Sequence, residues 1–149
     1  MLSDTGVPFE AGAQREAHLK LRTPLEEAFP GHVTERIHAI GWTLRLPSCD
    51  VVTCTLAPWG RDGATIAVRS YLAGAVPMSA ELLRELARWT SARRYGVFGV
   101  DDADNVYFEE QLLPAAATAA TMRATVDDVL AGVAEHRDEV RRRFGGGDL

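Results

Sequence analysis

The stretch that decides the fold is Val51–Leu72, which reads VVTCTLAPWGRDGATIAVRSYL. Two runs rich in β-branched residues flank the segment WGRDG, in which Gly60, Asp62 and Gly63 are typical turn residues. β-Branched side chains fit a pleated strand, and glycine and aspartate tolerate the backbone angles of a tight reversal. The stretch therefore predicts a β-hairpin.

Strand alternation divides the side chains of this hairpin between two faces, because successive residues of a strand point to opposite sides. The apolar face comprises Val52, Cys54, Leu56, Ile66, Val68 and Leu72. The other face comprises Thr53, Thr55, Arg69 and Tyr71. We expect the first face to pack in the core and the second to meet water or a partner.

Two segments that follow the hairpin have helical periodicity. In segment 76–94, VPMSAELLRELARWTSARR, Ser79 is a good N-cap and apolar residues recur along one stripe. Apolar residues also keep helical spacing from 122 to 144, and Gly145 supplies a stop. Hairpins before and after a helix indicate an α+β layer rather than alternating βαβ units.

The acidic stretch Tyr95–Glu110, YGVFGVDDADNVYFEE, resembles a calcium loop only superficially. When an EF-hand loop is started at Asp102, Tyr107 stands where glycine is required. We therefore expect strand, turn and strand. This register sends Phe98, Val100, Val106 and Phe108 inward, and Tyr107 and Glu109 outward. Glu110 then shares the inward face near its edge.

The first fifty residues carry weaker signals. Thr23 followed by Pro24 predicts a helix start, and Pro30 with Gly31 predicts an interruption. Val33, Ile37 and Ile40 then recur at helical spacing, which predicts a second helical piece that stops at Gly41. Residues 1–22 are predicted to form an N-terminal arm, disordered or weakly helical, and residues 23–149 a single α+β domain. An antiparallel sheet of about five strands is expected, in the order α-β-β-(β)-α-β-β-α.

Composition limits the classes of function. The chain has 149 residues, 46% of them hydrophobic and 25% charged, as in an ordinary globular domain. Its net charge of −5, with 16 basic residues spread along the chain, argues against a nucleic-acid partner. No apolar run is long enough to span a bilayer, and the first residues lack a signal-peptide pattern, so we expect no membrane partner and a cytoplasmic location.

Motifs for catalysis, metals and cofactors are missing from the sequence. Cys49 and Cys54 would lie about 16 Å apart in an extended segment, beyond disulfide reach. His32 and His38 are separated by about 120° on a helix, unlike two zinc ligands. There is no Walker A loop, nucleophile elbow or dinucleotide fingerprint. The sequence predicts no metal, no cofactor and no catalytic residue.

The segment from about 64 to 146 resembles the bacterial YbjN family of chaperone-like domains, which is grouped with the type III secretion chaperones. The resemblance lies in AVRSYL, in VPMSAELLRELARWTSARRYGVF, in the acidic turn with NVYFEEQLLP, and in RRRFGG. Two departures are the presence of Thr90 where many relatives have asparagine, and a poor match before Val51. The resemblance implies helix, three strands, helix, two strands and helix, a homodimer, and no known chemistry.

The favoured function is a non-enzymatic module that binds a protein or peptide segment, chaperone-like or regulatory, of the YbjN type. Its expected contact residues are Arg69, Tyr71, Tyr107, Glu109 and the turn residue Trp59. One alternative is a small assembly or regulatory subunit that acts by dimerising. Another is an enzyme whose scattered catalytic residues form no motif, with Glu110, His136 and Arg69 as candidates.

Overall fold

The protein is described by a computed structural model that covers residues 2–149. Within these residues, three helices, six strands and one short 3-10 helix follow one another. In chain order they are α1 (Gly12–Ala28), β1 (Val33–Glu35), β2 (Gly41–Arg45), β3 (Val51–Trp59), β4 (Gly63–Ala73), α2 (Ala80–Ala92), β5 (Val97–Val100), β6 (Val106–Leu112), the 3-10 helix Pro114–Ala116 and α3 (Ala119–Phe144).

The strands form one antiparallel sheet in the order β1-β2-β3-β4-β6-β5. The predicted α+β class and order of elements are confirmed, with β1 as a sixth, three-residue strand at one edge. Parallel strands would need long crossovers, whereas hairpins make neighbouring strands antiparallel. Within residues 2–149, no helix has the length and apolar character needed to cross a membrane.

The predicted hairpin forms β3 and β4, and its side chains divide as expected. All six residues of its apolar face are buried, and Thr53, Thr55, Arg69 and Tyr71 on the opposite face are half-buried. The alternation of apolar residues in these strands therefore identifies the core correctly.

The second hairpin and both later helices also match their predictions. Ser79 caps α2, and its Oγ accepts a hydrogen bond from the Leu82 N–H at 3.1 Å. In the acidic turn, the Asp101 carboxylate accepts hydrogen bonds from the backbone of Ala103 and Asn105. Asp104 has a φ of 61°, in the left-handed region that Asp tolerates. The turn is thus held by its own side chains.

The helix start predicted at Thr23 is wrong. α1 begins at Gly12 and continues past Pro24, which lies inside it. The helix buries Leu21 and Leu25, so tertiary packing outweighs the hydrogen bond that Pro24 removes. Residues 12–22 are consequently helical, and the division into an arm and a single domain stays a prediction.

The second helical piece predicted before Gly41 is also wrong. Val33 belongs to β1, the chain then bends, and Gly41 opens β2 with a φ of 153°. A Cβ at Gly41 would lie 2.1 Å from the Cys54 carbonyl oxygen of the neighbouring strand, so only glycine fits. Ile37, which suggested the helical spacing, is exposed in the bend.

Contacts divide the chain into two compact units, and the boundaries between their residue ranges fall within β4, β6 and α3. The first consists of residues up to Val68 together with Gln111–Val126, and the second of Arg69–Glu110 together with Asp127–Leu149. In the first unit, α1 packs on β3 and β1. In the second unit, the Phe98 ring contacts both Trp89 of α2 and His136 of α3.

Candidate functional site

An open cleft of about 620 Å³ runs beside α1, within the first unit. One wall is a face of α1, the floor is the start of β4, and the other wall is the segment that leads into α3. Its lining residues are Ala13, Glu16, Ala17, Lys20, Leu21, Thr23, Pro24, Glu27, Ala64, Ile66, Pro114, Ala115, Ala117, Thr118 and Ala119. The size and the apolar lining are those of a binding pocket.

Small side chains create the space in this cleft. Alanine contributes to all three of its sides, and Ile66 and Leu21 close its bottom as fully buried residues. The α1 residues of the wall recur every three or four positions, which places them on one helical face. Three of the four apolar residues that α1 shows to this side are alanine or proline, which leaves a groove that larger apolar side chains would fill.

Buried polar contacts hold α1 in place beside the cleft. Gln14 donates a hydrogen bond to the Leu56 carbonyl at 2.9 Å, and the Trp42 indole donates to the His18 carbonyl at 3.0 Å. The His18 ring stacks on Trp42 and lies 3.0 Å from a Glu35 carboxylate oxygen. These contacts fix the helix on its strands and make the wall a rigid element.

Pro24 leaves one backbone acceptor of α1 without its helical donor. Proline has no N–H, so the Lys20 carbonyl one turn earlier loses its helical donor. Both residues line the cleft. The Lys20 carbonyl is therefore an acceptor that a bound segment could meet with a donor of its own.

The rim of the cleft is charged. Glu16 and Lys20 form an ion pair at 2.5 Å, and Glu27 extends the rim along α1. Hydrogen bonding to Lys20 lowers the pKa of Glu16, so this carboxylate is ionised at neutral pH. An apolar floor with one basic and two acidic residues at its margin favours a ligand with an apolar face and a basic edge.

Four of the five predicted contact residues form one cluster in the second unit. The Arg69 guanidinium pairs with Glu109 at 2.6 Å and lies 3.6 Å from the centre of the Tyr107 ring. The Tyr71 and Tyr107 rings meet edge to face, with their centres 6.2 Å apart. The cluster lies on the sheet face opposite Phe98 and Phe108, as the register predicted.

Within this cluster, the predicted exposure of Glu109 is wrong. Glu109 points away from Phe108 as expected, but Arg69 covers it and leaves the residue only 5% exposed. Tyr71, Tyr107 and Arg69 are half-buried. Trp59, the fifth predicted residue, belongs to the first unit and is 59% exposed. A contact role for these five residues stays a prediction.

The candidate catalytic residues do not line the cleft. Glu110 lies on the core-facing side of β6, where burial and then Asp128 raise its pKa to about 8. The His136 ring stacks on Trp89 with centres 4.0 Å apart. Arg69 is paired with Glu109 on the other face of the sheet. A strongly shifted carboxyl group is typical of catalytic sites, and Glu110 has such a shift, but it is not among the residues that line the cleft.

The two cysteines lie in different environments, and the described residues form no metal centre. Burial raises the pKa of the Cys54 thiol to about 12, so it stays protonated, while Cys49 is exposed at a turn. Within residues 2–149, His, Cys, Asp and Glu form no group of three that could hold a metal ion.

Sequence reasoning missed the cleft because it did not recognise α1. The apolar residues Ala17, Leu21, Leu25 and Ala28 do follow helical spacing through Pro24 and would have been the signal. The buried polar residues Gln14 and His18 interrupt that pattern, since their hydrogen-bond partners cannot be read from the sequence.

Comparison with known proteins identifies the fold. No family model and no curated protein sequence matches the chain. Among solved structures, the chain is similar to the complex of the Yersinia pestis type III secretion chaperone SycH with a stable fragment of YscM2, with 13% identity and a TM-score of 0.54 over 80% of this chain and 98% of that chain. It is also similar to the ExsC–ExsE complex, with 18% identity and a TM-score of 0.55 over 89% of this chain and 96% of that chain. The chain therefore has a type III secretion chaperone-like fold.

Proposed function

We propose that the protein is a non-enzymatic, chaperone-like module of the YbjN type that binds an apolar segment of another protein in the cleft beside α1. The observation that carries the proposal is the 620 Å³ cleft, which has an apolar floor, walls of small side chains and a charged rim. The fold supports it, since SycH was solved with a fragment of a protein partner. A cytoplasmic location remains a prediction from the sequence.

The bound segment is expected to be helical. The cleft wall on α1 is a helix whose backbone groups are largely satisfied internally, and the floor strand β4 pairs with β3 on one side and β6 on the other. An extended segment would find few main-chain partners there, whereas an amphipathic helix satisfies its own backbone. Its apolar face would fill the space above the alanines, and its basic edge would face Glu16 and Glu27.

Site-specific photocrosslinking tests this function in cells of the native host. A photoreactive p-benzoylphenylalanine at position 117 would face the cleft, and the same residue at position 116 provides a matched control, because Ala116 is exposed and does not line the cleft. We expect discrete adducts with other proteins from position 117 that are missing from position 116. Equal adducts from both positions, or none from position 117, would contradict the proposal.

The sheet-face cluster is a second candidate surface for the same partner. Arg and Tyr side chains are frequent at interaction hot spots, and Arg69, Tyr71 and Tyr107 are all partly accessible. A Tyr71→Ala, Tyr107→Ala double variant tests this surface. If the double variant keeps the adducts at position 117, the cleft binds the segment without the cluster.

A homodimer is proposed as the functional form, with assembly through dimerisation as the alternative role. Leu83 on α2, Tyr95 and Val97 are exposed, and they are 52%, 78% and 45% accessible respectively. β5 is an edge strand, and Thr90 Oγ1 already accepts the Phe98 N–H at 2.9 Å, so side-chain burial rather than strand pairing would join two copies. Sedimentation should show a dimer that Leu83→Glu dissociates, with Arg84→Glu as the neighbouring control.

A further inference from the structure

Glu110 is a carboxylic acid placed under a helix. It follows Phe108 by two residues on β6, so both side chains point to the α3 side of the strand. Phe108 is fully buried, and one oxygen of Glu110, Oε1, is buried without a hydrogen-bond partner. A carboxyl group in such a place needs a partner from the element above it.

The packing of α3 explains why that partner is Asp128. Gly132 lies directly over Phe108, so closely that a Cβ there would come within 2.6 Å of the ring. Glu110 follows Phe108 by two strand residues, which span about 6.6 Å, and Asp128 precedes Gly132 by four helical residues, which span about 6.0 Å. In a helix that runs antiparallel to β6, Asp128 therefore lies over Glu110 when Gly132 lies over Phe108. A side-chain contact with Asp128 is one cause of the raised pKa of Glu110, and the same contact lowers the pKa of Asp128.

Charged groups around this pair come from two elements. Arg93, which follows α2, donates to Asp128 at 3.0 Å and to Glu135 at 3.0 Å, and its guanidinium lies 4.7 Å from the Phe108 ring centre. The neighbouring strand β5 carries no charged residue. One arginine therefore serves two carboxylates of α3, and Glu110 is a third acidic group beside it.

Two carboxyl groups in hydrogen-bond contact need a proton between them, because two like charges at that distance repel. We propose that Glu110 and Asp128 share one proton and form a pH-dependent latch that fastens α3 to β6 and opens when the proton is lost. Burial and Asp128 raise the pKa of Glu110 to about 8, and the Glu110 contact and Arg93 lower the pKa of Asp128. The proton thus resides on Glu110 at neutral pH.

The direction of the pH effect follows from linkage. The folded chain holds the proton of Glu110 up to about pH 8, whereas the unfolded chain releases it near the ordinary value of 4.5. The stabilisation is complete below that ordinary value, declines as the pH rises, and is lost above about pH 8. Alkaline conditions therefore loosen α3 over β6 in the second unit.

Carboxyl-carbon NMR titration tests the latch in the folded protein. The Glu110 Cδ signal should titrate with a midpoint near pH 8, and Asp128→Asn should move that midpoint downward, because an amide donates to a carboxylate instead of repelling it. Asp127→Asn, at the neighbouring exposed position, which does not contribute to the Glu110 shift, should leave the midpoint unchanged. A Glu110 midpoint below about 5.5, well short of the shift that a shared proton requires, overturns the proposal. So does a midpoint that Asp128→Asn does not lower.

A Glu110→Gln variant gives a second readout that does not depend on Asp128→Asn folding. Glutamine keeps a donor for Asp128 and cannot ionise. The wild-type Tm should fall between about pH 6 and pH 9, and the fall should be smaller in Glu110→Gln. Parallel curves for the two proteins would refute the latch.

Discussion

Because α3 lies close to β6 at Gly132, the effect of Gly132→Ala on stability should depend on the Phe108 ring. We expect Gly132→Ala to destabilise the wild-type protein and to stabilise a variant that lacks this ring. Gly132→Ala would place a methyl group 2.6 Å from Phe108 Cδ1 and 2.7 Å from Cε1. Carbon atoms in contact prefer about 3.5–4.0 Å, so the helix and the ring must separate by about 1 Å. Such overpacking costs about 1–3 kcal/mol.

Two opposing contributions set the measured value. Replacing a helical glycine with alanine stabilises the helix by about 1 kcal/mol. In the wild-type background, Gly132→Ala should therefore destabilise the protein by about 0–2 kcal/mol. Phe108→Ala alone should cost about 3–5 kcal/mol, because this ring is fully buried. In that background the clash is removed, and Gly132→Ala should become stabilising by up to about 1 kcal/mol.

Urea denaturation of the four proteins in this cycle measures the coupling. The expected coupling free energy is about 1–3 kcal/mol, which at an m-value of about 2 kcal/mol/M shifts the midpoint by about 0.5–1.5 M. Gly12→Ala, which meets nothing within 4 Å, is a control that should not couple to Phe108. A coupling below about 0.5 kcal/mol would show that α3 does not contact β6 at Gly132, and would also remove the basis for the Glu110–Asp128 register.

Two further predictions concern local chemistry. Ser79→Ala should lower the free energy of unfolding by about 0.5–2 kcal/mol through loss of the α2 cap, measured by urea denaturation, whereas Ser91→Ala on the exposed side should change it by less than about 0.5 kcal/mol. A chromogenic thiol reagent should titrate Cys49 rapidly in the native protein and Cys54 only after unfolding, because burial raises the pKa of Cys54 to about 12. Rapid reaction of both thiols in the native state would contradict the buried position of Cys54.

The second half of the fold could be predicted from the sequence because its strands, helix cap and turn are determined by residues close together in the sequence. In β3 and β4 the large apolar side chains largely alternate with polar or small ones, and in α2 the cap precedes an apolar stripe. The acidic turn is held by hydrogen bonds to its own Asp101 side chain. Residue types alone therefore sufficed to reject a calcium loop and to predict the register of the two strands.

The first half could not be predicted because long-range contacts override its local signals. Gln14 and His18 look like surface residues until their partners Leu56 and Glu35 are known, so the buried face of α1 was not recognised. Pro24 suggested a helix start, although packing keeps it inside a helix. The cleft depends on where α1 meets β4 and the segment before α3, and no periodicity in the sequence contains that information.

The predicted contact cluster shows the same limit on a smaller scale. Alternation placed Tyr107 and Glu109 on the correct face of β6, because the face that a residue takes depends only on its position along the strand. It could not show that Arg69, from a neighbouring strand, would cover Glu109. Glu110 was recognised from the sequence as an acidic residue on the core-facing side, but its partner Asp128 belongs to a helix whose position on the strand is set by Gly132.

The measurement that tests the central claim most directly is affinity capture from native-host lysate with a cleft-filling variant. Ala117→Trp places an indole in the cleft, and Ala116→Trp places the same side chain on the exposed side of the same segment. The wild-type protein and Ala116→Trp should retain a common protein that Ala117→Trp loses at least tenfold, equivalent to about 1.4 kcal/mol. Equal retention by all three, with both variants as stable as the wild type, would show that the cleft beside α1 is not the binding site.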